Sequence, residues 1–193
     1  MIRWNYGQSL QGASVTAEPL RAAVFNEHQV RAAAGLTLVL GAVAFVYAYF
    51  AKVYGPIQVI TVLFFAEFGV RVTLGVHRSP VGVAAGWMVR RHPPQWVSAK
   101  PKRFAWTLGL VMSFAMALIT NAGIRGALPL SICLACMTLM WLEAVLGLCL
   151  GCEIHGLLVR RGWVAKDQAF EICSGGACAT VSQRRKESCH ERA

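Results

Sequence analysis

The chain has 193 residues, 56% of them hydrophobic and 15% charged, with a formal net charge of +10. Soluble domains carry roughly 25% charged residues, so this balance excludes an ordinary water-soluble domain. It also argues against a nucleic-acid partner, because the basic residues are not gathered into a folded basic domain with interleaved aromatics.

Residues 1–31 lack the short apolar run and small-residue cleavage site of a secretory signal, and 12–29 are polar with scattered apolar positions. Residues 1–25 read as an interfacial or loosely ordered arm. Asn26 followed by Gln29 has the spacing of a capping box that opens the first long helix. Four apolar segments follow, at 32–51, 56–76, 104–123 and 127–150, each almost free of charge. A helix needs roughly 20 such residues to cross a bilayer core, so all four are expected to span. The short turn with Gly55 and Pro56 makes the first two antiparallel neighbours. Between the second and third spans, Ser79 and Pro80 look like the N-cap and first position of a short helix over 80–90, which lies at the interface until Pro93 and Pro94 end it. Lys100, Pro101, Lys102 and Arg103 then lead into the third span as positive flanking charge. Residues 163–193 mix charges with Gly, Ser and Cys and carry no core-forming pattern, so they read as a flexible cytoplasmic tail. The expected fold class is an all-α integral membrane protein, a four-helix transmembrane bundle over residues 26–162 with a short interfacial helix. No internal repeat of the inverted-transporter kind is visible.

Lys and Arg number three before the first span, one in the first loop, six from Arg78 to Arg103, one at Arg125 and seven after Leu150. This alternation predicts that both termini face the cytoplasm. The first partner is therefore the lipid bilayer, whose anionic heads the basic loops attract.

Six of the seven cysteines form close pairs: Cys133 with Cys136, Cys149 with Cys152, and Cys173 with Cys178. The first two pairs superficially resemble a zinc ribbon. If 127–150 is one helix, however, Cys133 and Cys149 lie roughly 24 Å apart, too far to share an ion. The pairs then mark the outer and cytoplasmic ends of the fourth span. Two thiols at i and i+3 can cycle between dithiol and disulfide or share a soft metal, although buried cysteines also serve as plain packing. Cys149 and Cys152 have the better context for chemistry, with His155 nearby as a possible base and Glu153 as surface. The Gly-rich spacer of Cys173-Ser-Gly-Gly-Ala-Cys178 permits a tight reactive loop; a reducing cytoplasm disfavours a permanent disulfide there.

Ionisable groups inside spans point to function by default. Glu67 and Arg71, four apart, form an intramembrane ion pair on one helix face. Glu143 has no partner nearby in sequence, so it must stay protonated or find Arg71, a hydroxyl or water. Lying roughly two turns before Cys149, it is the candidate for proton handling beside the thiols, together with His155.

Several of these residues together resemble an uncharacterised bacterial membrane-protein family described only as a domain of unknown function. They are Asn26 to Arg31 with Gly35, the Glu67 to Arg71 segment, Arg78-Ser-Pro80, Pro101-Lys-Arg-Phe-Ala105, and Leu142-Glu143 leading into Cys149-Leu-Gly-Cys152. The resemblance spans about residues 25–162 and implies a compact bacterial inner-membrane protein that keeps company with thioredoxin-like or sulfur-transfer proteins. It implies no known reaction, and the Cys173 and Cys178 tail lies beyond it.

Three functional classes follow. The leading one is thiol-based redox or sulfur handling by Cys149 and Cys152, with Glu143 and His155 managing protons. The second is soft-metal binding or transport through Cys133, Cys136, Cys149, Cys152, Cys173 and Cys178, a layout similar in outline to mercury-uptake membrane proteins. The third is an accessory subunit whose cysteines pack. Phosphate loops, HExxH and serine nucleophile elbows are missing, so whether the chain is an enzyme, and which cofactor it uses, stay open. Quinone and haem need no long motif, but His28, His77 and His92 are placed outside the spans, which argues against an intramembrane bis-His haem site.

Overall fold

The computed structural model describes residues 24–164. The expected N-terminal arm up to Ala23, and the tail cysteines Cys173 and Cys178, lie outside the described residues. The chain begins with a three-residue strand, β1 (Val24–Asn26), followed by α1 (Glu27–Tyr49) and α2 (Gly55–Thr73). The short helix α3 (Pro80–Val89) comes next, then the strand β2 (Trp96–Ser98) and the helix α4 (Ala99–Asn121). The last elements are α5 (Ala127–Trp141), a π-helical turn over Leu142–Leu146, and α6 (Leu150–Arg160).

Four of these helices are long and apolar enough to cross a bilayer: Glu27–Tyr49, Gly55–Thr73, Ala99–Asn121 and Ala127–Leu146. Large apolar side chains along them, among them Val39, Val43, Val59, Leu63, Val111 and Leu118, face outward, the reverse of a water-soluble bundle and suited to lipid. Small residues line the inner seams. A Cβ on Gly109 of α4 would lie 2.8 Å from the Phe68 ring of α2, so this glycine lets the two helices meet closely. Gln58 donates to the Thr120 carbonyl and the Thr61 and Thr120 hydroxyls lie 3.3 Å apart, fastening the start of α2 to the end of α4.

The Ser79 expectation holds. Its hydroxyl accepts from the Gly82 amide, capping α3 with Pro80 at the first position. Exposed Val83, Trp87 and Met88 on α3 suit an interfacial position. The capping box at the start of α1 is half realised: Asn26 accepts from the His28 amide, but the Gln29 side chain leaves its own helix end and donates to the Gly82 carbonyl of α3. A long-range partner on α3 has displaced the local one.

The two strands were not expected. β1 and β2 pair antiparallel, Val24 opposite Ser98 and Asn26 opposite Trp96, and the Glu27 amide donates to the Gln95 carbonyl. Val24 and Phe25, read as the last residues of a loose arm, are buried within the fold. The ladder sets the first turns of α1 and α4 side by side. It also starts α4 at Ala99 instead of near Phe104, so Lys102 and Arg103 become buried residues of the helix and not flanking charge. Pro101 sits in that first turn, where its missing amide is harmless.

A second correction concerns the fourth span, which ends at Leu146 and not at Leu150. The π-turn over Leu142–Leu146 is closed by Gly147 in the left-handed conformation (φ 69°), and Cys149 is extended as the N-cap of α6. Arg31 of α1 holds this break, donating to the Ala144 and Val145 carbonyls that the broken helix leaves without intrahelical partners.

Candidate functional site

Three elements bring ionisable groups together at the ladder end of the bundle. Glu27 comes from the first turn of α1, Lys102 from that of α4, and Glu143 from the π-turn after α5. The Lys102 ammonium lies 3.2 Å from Glu27 Oε1, 3.1 Å from Glu27 Oε2 and 3.2 Å from Glu143 Oε1. All three side chains are buried. The partner that Glu143 lacks in sequence is therefore Lys102, which is 41 residues away, although Arg71 is near enough for its charge to be felt. One ammonium faces two carboxylates, an arrangement with room for one further proton.

The thiols of Cys149 and Cys152 adjoin this cluster. Both are buried and free, and a hydrogen bond links them. The Lys102 charge reaches both sulfurs and that of Glu143 reaches Cys152. Cys149 is the N-cap residue of α6 and Cys152 lies in its first turn. The hydrogen bond to Cys149 and burial push the Cys152 thiol above its ordinary range, so it is held protonated. Gly151 between them is dictated by packing: a Cβ there would lie 2.6 Å from Ala105 of α4.

His155 lies one turn beyond Cys152, and its ring packs against Phe104 at 5.7 Å. Burial, then the charge of Lys100, lowers its pKa, which keeps it neutral at pH 7. The Glu67–Arg71 pair forms as expected: Arg71 Nε lies 2.8 Å from Glu67 Oε1, Arg71 Nη2 donates to Thr37 of α1, and the Val81 amide donates to Glu67 Oε2. It ties α1, α2 and α3 together.

Cys133 and Cys136 lie half-buried on α5, and the Cys133 and Met137 sulfurs are 4.0 Å apart. The break at Gly147 overturns the assumption of a continuous helix that separated the two cysteine pairs. Cys133, Cys136 and Cys149 line one apolar cavity of about 180 Å³, partly open, between α1, α2, α4, α5 and the start of α6. Glu143 is the one charged residue on its wall, and Met112, Met116, Met137 and Met140 add thioether sulfur. Among the described residues no three Cys, His, Asp or Glu side chains converge as a metal site would require.

Sequence reasoning missed Glu27 and Lys102. Glu27 reads as an ordinary first-turn acid beside its N-cap, and Lys102 as one of a run of interfacial charges. The one available signal was the Pro-Lys-Arg-Phe-Ala element, quoted for its resemblance and not for its chemistry.

A family model described as Domain of unknown function (DUF4395) matches residues 25–160. Comparison with curated proteins gives no match, and neither does comparison with solved structures.

Proposed function

We propose that this chain, which belongs to the DUF4395 family, is a membrane-embedded thiol oxidoreductase or sulfur-handling protein whose working group is the Cys149–Cys152 pair. The observation that carries this reading is the buried Lys102, shared between two carboxylates and felt by both thiols. An ammonium beside a dithiol stabilises the thiolate that thiol exchange needs, and it opposes the entry of a cation. Cys152, held protonated, acts as the resolving thiol after Cys149 reacts. Glu143 takes up the proton released, and neutral His155, one turn from Cys152, passes it to water. The basic loops at the ladder end support a cytoplasmic orientation for it in a bacterial inner membrane, and on this reading a thioredoxin-like or sulfur-transfer protein exchanges with the pair there. Cys173 and Cys178 are the candidate intermediaries.

Redox-controlled thiol labelling of the full-length protein in membranes tests this. Mass spectrometry should find Cys149 and Cys152 joined after oxidation and free after reduction, and Cys149→Ser should abolish the cycle. A pair that stays free under every oxidant would refute the reading.

The sulfur-lined cavity favours one other reading, passage of a soft metal ion from Cys133 and Cys136 toward Cys149. Thiol-dependent binding of Hg(II) or Cu(I) by the purified protein, lost on replacing Cys133 and Cys136, would support it over the first.

A further inference from the structure

Cys149 and Cys152 are only 3% and 4% exposed, so water-borne reagents have little access to either sulfur. The apolar cavity does reach one of them. Its wall includes Cys149 and Glu143 but not Cys152, and its remaining polar side chains are mainly the hydroxyls of Thr37, Thr61 and Ser113. These hydroxyls are already committed, Thr37 to the Ala33 carbonyl and to Arg71, Thr61 to the Gln58 carbonyl and Ser113 to the Leu110 carbonyl. The site is thus an oily slot at membrane depth with a thiol and a carboxylate at its ladder end. A dry apolar cavity of roughly 150 Å³ admits benzene, so about 180 Å³ accommodates a substituted six-membered ring.

We infer that this cavity binds the ring of a membrane-soluble quinone and delivers it to Cys149, making the quinone the electron acceptor for the Cys149–Cys152 dithiol. The inference rests on the redox reading of that pair. A saturated lipid tail would fill the same volume but would make no use of the sulfur or the carboxylate at its end. A quinone uses both, because its reduction takes two electrons and two protons, which is what one dithiol releases. In the step, Cys149 and Cys152 each give up a thiol hydrogen, an S–S bond forms between them, and both quinone carbonyl oxygens become hydroxyls. Glu143, on the wall and paired with Lys102, relays the proton of the deeper thiol. A dithiol on the cytoplasmic partner then reduces the disulfide and resets the site, so electrons flow from cytoplasmic thiol to the membrane.

The full-length protein, reduced and placed in lipid nanodiscs without oxygen, is mixed with a short-chain ubiquinone whose ring is fully substituted, so that thiol addition to the ring does not mimic the reaction. We expect one quinol per Cys149–Cys152 disulfide, read by absorbance and by mass spectrometry. Leu108 and Met112 line the cavity and are partly exposed, so Leu108→Trp or Met112→Trp fills it without disturbing the core. Either should slow quinone reduction by about tenfold or more, equivalent to about 1.4 kcal/mol in barrier, and leave oxidation by the small membrane-permeant oxidant diamide unchanged. If diamide oxidises the pair but the quinone does not, or if both tryptophan variants reduce quinone at the original rate, the cavity inference falls and the redox reading stands. If neither oxidant forms the disulfide, both fall together.

Discussion

Among the described residues two buried sites hold ion-paired side chains, and they are built differently. At Glu67 and Arg71 the charges balance: the two groups bond each other, and the remaining polar atoms reach Thr37 and the Val81 amide, with the Phe68 ring 5.2 Å from the guanidinium. At Lys102 one ammonium serves two carboxylates from different helices, and its charge is felt at two buried thiols. A balanced, internally satisfied pair fixes how helices pack and offers nothing to a reactant. A cluster with an excess carboxylate next to sulfur can take up and release a proton as the sulfur changes state. Burial and charge alone therefore do not separate the two; the unequal count of charges beside the thiols is what the proposed function rests on.

Substitutions at the two sites should separate these roles. Lys102→Met leaves two buried carboxylates facing each other and should destabilise the protein by about 3–5 kcal/mol, the range for breaking a buried pair, with loss of Cys149–Cys152 cycling as well. Unfolding in detergent and thiol labelling read the two effects separately. Arg71→Met should lower stability within the same range of about 3–5 kcal/mol, toward its lower end, but leave thiol cycling intact; a loss of cycling there would erase the contrast between the sites. Gly151→Ala should have a smaller effect, about 1–3 kcal/mol as for overpacking, by pushing α6 off Ala105, and faster maleimide labelling of Cys152 would report it. The mildest effect concerns pH. His155 has a pKa below its ordinary 6.5, so its contribution is complete above that value and is lost as pH falls through the lower, folded value. Thermal stability in detergent should decline between pH 7 and pH 5, and His155→Gln should flatten that decline.

The long apolar runs made the four spans legible in the sequence, as Ser79-Pro80 did the short helix, and Glu67–Arg71 was legible because its partners lie on one helix face. What could not be read was everything set by contacts between distant segments. Three residues of strand at Val24–Asn26 carry no periodic signal of their own and form only because Trp96–Ser98 lies opposite. Glu143 was singled out from its cost in a membrane, but its partner needed the register of α4. The break after Leu146 hides inside an uninterrupted apolar run, where Gly147 looks like any other glycine of a membrane helix. Membership in a family whose description assigns no reaction carries the fold-level reading and leaves the chemistry to these contacts.

The small ladder between β1 and β2 has a consequence for timing. Glu27 leaves the ribosome 75 residues before Lys102, so two spans and the interfacial helix are made while that carboxylate has no counter-ion. Over that interval Glu27 lacks the partner that accompanies its burial in the finished fold, and the start of α1 cannot take its final depth. Arrival of β2 closes the ladder and places Lys102 beside Glu27 in one event, after which Glu143 and the two cysteines complete the centre. The buried cluster of Glu27, Lys102 and Glu143 can thus form only in a molecule whose every span has already been made.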